Sequence, residues 1–105
     1  MKSTSPERKK LPATHPGELL REEIMPAAYL TQDALAERLG VSRRTINEIV
    51  GEKRSVTADM AHRLSRLFGT TPEFWLGLQQ DVDLQKAHQS AGSHYKKIRP
   101  LQKSA

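Results

Sequence analysis

The stretch LTQDALAERLGVSRRTINEIV, residues 30–50, leaves few folds open. Thr31 and Ser42 are residue types whose side-chain oxygen satisfies the first free amides of a helix. Gly40 and Gly51 stand where a helix can leave through a left-handed backbone that disfavours a side chain. This punctuation predicts two short helices joined by a tight turn, crossing steeply. Leu35, Ala36 and Leu39 give the first an inner stripe, and Ile46, Ile49 and Val50 of the second face back toward it. Ala36 is small enough for close approach, and Val41 plugs the corner.

The same grammar runs through the neighbouring sequence. A first helix is expected over 16–25, capped by His15 or Thr14, with Pro16 in its first turn and Pro26 as its stop. Leu19, Leu20 and Ile24 form its inner side. A fourth helix opens at Thr57, carries Asp59 in its first turn and closes at Gly69; a fifth begins at Thr71-Pro72-Glu73 and runs to about Gln85. No strand alternation and no internal repeat interrupt the series. The expected fold is all-α, with five helices around a helix-turn-helix. The expected organisation is a flexible basic arm over 1–14, a DNA-binding and dimerisation domain over 15–85, and a basic tail over 86–105.

Charge is informative only by position. The chain of 105 residues carries a net charge of +5, which favours an anionic partner. Between His15 and Gln85, however, 8 Lys and Arg face 11 Asp and Glu, so the positive surplus lies at the two ends. The absence of cysteine excludes disulfides and thiolate metal sites. Lys2, Arg8, Lys9 and Lys10 are followed by no apolar stretch, and no run approaches the roughly 18 apolar residues of a membrane span. A soluble, cytoplasmic protein is expected, nucleoid-associated when bound to DNA.

The outward face of the second short helix holds Arg43, Arg44, Asn47 and Glu48, with Thr45 at its margin. Arginine can pair bidentately with guanine, asparagine with adenine, and glutamate can accept from cytosine. Ser42 and Gln32, at the two helix starts, suit phosphate contacts, as do Lys53 and Arg54 in the following loop. Arg44 and Glu48 are also i,i+4 neighbours, so for Glu48 a neutralising or orienting role stands ahead of base reading. Phe74, Trp75, Leu78 and Val82 form a stripe on the fifth helix, flanked by Leu76. Most of it suits the core, and the same residues are candidates for a two-fold interface. A pair of chains would set two reading helices about 34 Å apart, matching a palindromic operator in double-stranded DNA.

No catalytic or cofactor-binding pattern emerges. His15, His62, His88 and His94 lack metal-ligand spacing, and Glu22-Glu23 and Asp81/Asp83 resemble hydrolase carboxylates by composition alone. Serine, histidine and aspartate occur without a nucleophile elbow or a glycine-rich cradle. The chain is therefore expected not to be an enzyme and to use neither metal nor cofactor.

The segments HPGE (15–18), INEIVGEKRSVTADMAHRLSRLFG (46–69) and above all TPEFWLGLQQDVDL (71–84) carry a family resemblance. Over 15–84 the chain resembles the HigA antitoxins, a branch of the phage-repressor-like, Xre-type helix-turn-helix superfamily. The resemblance implies a dimeric repressor of its own type II toxin–antitoxin operon, which neutralises a HigB-like toxin, a small RelE-like ribonuclease. It places base reading on Ser42, Arg43, Arg44, Thr45, Asn47 and Glu48. A ribonuclease grips phosphate and tends to be basic, so Glu18, Glu22, Glu23, Glu73, Asp81 and Asp83 could steer it. The rival expectations are a stand-alone transcription regulator and a protein-interaction module with little DNA affinity.

Overall fold

The computed structural model describes residues 12–102, and the expected arm over 1–14 lies almost wholly outside them. Five helices account for the fold, and the described residues contain no strand. Helix α1 is continuous through an α-helical turn Pro16–Leu19, a π-helical turn Leu20–Ile24 and a second α-helical turn Met25–Ala28. Then follow α2 (Gln32–Leu39), α3 (Arg43–Val50), α4 (Ala58–Phe68) and α5 (Pro72–Tyr95). Thr31, Ser42, Thr57 and Thr71 each cap the helix that follows, the side-chain oxygen accepting an amide in the first turn. Gly40 and Gly69 leave α2 and α4 at φ of 72° and 73°.

Two helix ends differ from expectation. Pro26 does not stop α1. Proline lacks an amide hydrogen, and its ring crowds the carbonyl four residues back. The chain absorbs this by widening into the π turn before the proline, where Met25 N–H donates to Leu20 O, five residues back. The helix then ends at Tyr29, which takes the left-handed conformation at φ 54° while its side chain lies in solvent. Helix α5 runs ten residues past Gln85, to Tyr95, with non-helical angles at Ala91. Its apolar pattern fades there, and most side chains beyond Gln85 are exposed among the described residues.

The core joins all five helices. Leu20, Leu35, Ile46, Ile49, Leu64 and Trp75 are essentially inaccessible, with Ala36, Val50, Val56 and Met60 closing the gaps. Burying one such aliphatic side chain contributes about 1.5–3 kcal/mol. Trp75 pins α5 to α4: its indole N–H donates to Thr70 Oγ1 at 2.7 Å, and its ring meets Phe68 and Phe74. Gln79, buried on α5, accepts from Val56 N at 2.9 Å and donates to Asp83, fixing the loop between α3 and α4.

The start of α1 is pressed against the end of α3. A Cβ on Gly17 would stand 1.8 Å from the Ile49 carbonyl oxygen. The buried His15 caps the same turn, its Nδ1 accepting from Gly17 N at 2.9 Å. Desolvation lowers the His15 pKa, and Lys86 and Arg21 lower it further, while the nearby carboxylates of Glu52 and Asp83 act in the opposite direction. The neutral imidazole is the form that caps.

Two measurements follow from this junction. Gly17→Ala should destabilise the protein by about 2–3 kcal/mol in urea unfolding, because the obstacle is backbone and cannot rotate away. Because the folded pKa of His15 is lowered, its stabilising contribution is complete above the unfolded value of about 6.5 and is lost as pH falls toward the folded value. His15→Asn, a cap that does not titrate, should flatten the stability curve in that window.

Candidate nucleic-acid interface

Helix α3 is two-faced. Ile46, Ile49 and Val50 are buried against α1 and α2, whereas the side chains of Arg43 and Arg44 are 65% and 84% exposed. The turn before it supplies the projection: Gly40 is left-handed, Val41 N donates to Ala36 O, and Val41 packs into the corner. The arrangement is a helix-turn-helix with its second helix standing outward.

The polar residues expected at the site converge. Ser42 Oγ accepts from Thr45 N at 3.1 Å and shares a hydrogen bond with Thr45 Oγ1 at 2.9 Å. Asn47 Nδ2 donates to Gln32 Oε1 at 3.2 Å, so the starts of α2 and the middle of α3 present one surface. Arg43 pairs with Asp33 of α2 at 3.2 Å. Glu48 accepts from Arg44 Nε at 3.1 Å and from Arg54 Nε and Nη2 at 2.8 and 2.6 Å. Hydrogen bonds from Arg54 first, and Arg44 second, hold its carboxyl below the usual glutamate range, so it is ionised at neutral pH. Lys53 projects from the same loop into solvent.

The tentative two-fold residues separate into two groups. Trp75 and Val82 are buried in the chain's own core and present no free surface. Phe74 is exposed, Leu76 and Leu78 are half-buried, and Leu84, further along α5, is exposed.

Sequence patterns did not reveal the residues that brace this head. Arg21 of α1 donates through Nη1 to Val50 O at the end of α3, and through Nη2 to Glu52 Oε2 at 3.2 Å. Glu52, rather than Gly51, takes the left-handed position there, at φ 62°. Arg63 of α4 donates to Leu39 O at 2.8 Å and Gly40 O at 3.4 Å, with Nε on Asp59. Both guanidiniums meet the carbonyl end of a helix, where the dipole favours a cation. Only the i,i+4 spacing of Asp59 and Arg63 was visible beforehand, and it points to the lesser of that residue's two roles.

Helices of this length and polarity, set on this core, define a DNA-binding domain of the helix-turn-helix class, and residues 20–75 match the helix-turn-helix family model. "Virulence-associated protein I" of Dichelobacter nodosus is 48% identical over 86 residues, 82% of this chain and 80% of that protein. "Antitoxin HigA-1" of Vibrio cholerae is 36% identical over 85 residues, 81% of this chain and 80% of that protein. The solved structure of Pseudomonas aeruginosa antitoxin HigA with the higBA promoter superposes with a TM-score of 0.81 at 42% identity, covering 86% of this chain and 99% of that one. The chain belongs to the HigA antitoxins of the helix-turn-helix family.

Replacing Arg63 by Ala should lower stability by about 1.5–3 kcal/mol, measured by chemical denaturation. That figure reflects the charged donor lost by the Leu39 carbonyl; the Asp59 pair, exposed to solvent, adds little. Arg63→Lys should recover less than half of the loss, since an ammonium cannot span both carbonyls and Asp59 as the planar fork does.

Proposed function

We propose that this chain is a dimeric autorepressor that reads a palindromic operator with α3 and neutralises a HigB-like ribonuclease toxin. One observation carries the DNA reading: the face of α3 opposite Ile46, Ile49 and Val50 carries Arg43, Arg44 and Asn47 outward on a helix whose last carbonyl is held by Arg21 and whose preceding turn is held by Arg63. The Pseudomonas relative, of the same fold and 42% identical, was solved with its promoter, which supports the same use here. Arg43 and Arg44 approach base edges, Asn47 and Gln32 act as a linked pair at the groove wall, and Ser42, Thr45, Lys53 and Arg54 face phosphates.

Two chains pair through the part of α5 that the core leaves accessible: Phe74, Leu76, Leu78 and Leu84. The toxin is basic and meets the carboxylates outside the reading head. Glu18, Glu22, Glu23, Glu73, Asp81 and Asp83 are all exposed, which suits long-range steering of such a partner.

Arg43→Ala or Arg44→Ala should each weaken binding to the chain's own promoter by about 1–3 kcal/mol and relax preference at one base pair per half-site. An equal fall on promoter and random duplexes would contradict base reading. Lys53→Ala should weaken both duplexes alike and reduce the slope of log K against log salt by about one contact. The toxin reading is tested by coexpression with the adjacent reading frame. Growth rescue and copurification are expected, and a neighbour harmless on its own would leave a repressor without a toxin.

A further inference from the structure

Every arginine of the reading head is already paired with a carboxylate of the same chain. Arg43 meets Asp33, while Arg44 and Arg54 share Glu48. The atoms engaged matter more than the pairing itself. Arg44 Nε donates to Glu48 at 3.1 Å, and Arg43 Nε lies 3.2 Å from Asp33 Oδ1 as a solvent-exposed ion pair. Their terminal nitrogens, the pair that fits guanine O6 and N7 end-on, carry no further bond among the described residues. Arg54 is held differently, with Nε and Nη2 both on Glu48 Oε1. Glu48 thus receives three donors, and its side chain is only 27% exposed, which leaves it poorly placed to meet a cytosine.

We propose that Asp33 and Glu48 are specificity-determining positioning residues: each pairs with a reading arginine at Nε, leaves its terminal nitrogens for a base edge and offsets part of the charge that would draw the head to any phosphate. This rests on the reading that α3 enters operator DNA, and it adds how cognate DNA is told from the rest. An end-on contact to guanine uses the free terminal N–H groups and can form with the carboxylate still bound. A phosphate contact depends on net charge, which the two carboxylates lower from three guanidiniums' worth to one. The pairing therefore weakens attraction to arbitrary duplex far more than it weakens base recognition. Residues 15–85 outside the head are acidic, with 9 carboxylates (Glu18, Glu22, Glu23, Glu37, Glu52, Asp59, Glu73, Asp81, Asp83) against 4 cations (Arg21, Arg38, Arg63, Arg66), and so add no compensating pull. Among the cations of the head, Lys53 alone is left without a carboxylate, a point charge suited to a single phosphate.

The test compares wild type, Glu48→Gln, Glu48→Ala and Asp33→Asn on two duplexes across a salt series. One duplex carries the segment upstream of the chain's own start codon; the other is scrambled, with identical length and composition. Glu48→Gln keeps the acceptor atoms and removes the charge. It should tighten scrambled-duplex binding roughly five- to tenfold near 0.1 M salt, with a slope steeper by about one to two contacts. Promoter affinity should change much less, so discrimination narrows, and Asp33→Asn should act in the same direction through Arg43. Glu48→Ala should also blur the base preference assigned to Arg44, as scored by single-base-pair substitutions. A fall on promoter alone would make Glu48 a base reader and overturn the proposal. A parallel fall on both duplexes with a lower melting temperature would make it only a brace, and unchanged binding would also overturn it. Wild type that fails to distinguish the two duplexes would instead remove the operator reading, a separate outcome visible before any variant is measured.

Discussion

The whole arrangement depends on keeping an eight-residue helix rigid while leaving half of it uncovered. A helix of two turns has no independent stability in water, because its nucleation cost is spread over too few hydrogen bonds. Helix α3 is therefore held from one side only, by Ile46, Ile49 and Val50 against α1 and α2. The contact between the start of α1 and the Ile49 carbonyl sets how deeply that side can sink. Gly17 allows the backbones to touch, and any side chain there would lift α3 away from the core.

The brace at the turn and at the far end of the helix-turn-helix is electrostatic as well as steric. Arg21 reaches the last carbonyl of α3 and Arg63 the last carbonyl of α2, so each helix end that would otherwise face solvent unsatisfied receives a charged donor. Both arginines come from helices outside the reading motif, and this ties the angle of the head to the packing of α1 and α4. Net charge would not have revealed this. The same residue type that stands outward on α3 serves as a strut elsewhere, and three of the reading head's own cations share two local carboxylates, Asp33 and Glu48.

What the sequence made legible was local. Thr31, Ser42, Thr57 and Thr71 cap because their side chains reach amides only three residues away, and Gly40 and Gly69 stop helices through their own backbone angles. The pairing of Glu48 with Arg44 was likewise within reach of i,i+4 helical spacing, whereas that of Asn47 with Gln32 depends on how α2 and α3 cross. The misses were long-range or cooperative. Pro26 looks like a stop in isolation, yet one widened turn upstream relieves its clash. Arg21, Arg63 and Gln79 act on residues more than twenty positions away, so no periodicity marks them. The end of α5 lacks an apolar stripe and is largely exposed among the described residues, so a pattern method tuned to buried faces cannot see the helix.

Helix α5 divides its apolar residues between the core and the solvent. Trp75 and Gln79 close the core and the loop that carries Lys53 and Arg54. Phe74 and Leu84 stay open to solvent, and Leu76 and Leu78 flank the buried stripe half-covered, which leaves this strip for the pairing proposed above. A substitution at Trp75 would then unfold the head along with the interface, whereas one at Leu84 touches only the strip. With the two separated in this way, the packing of α3 lies within one chain, while the spacing between two reading helices is left to whatever joins the strips.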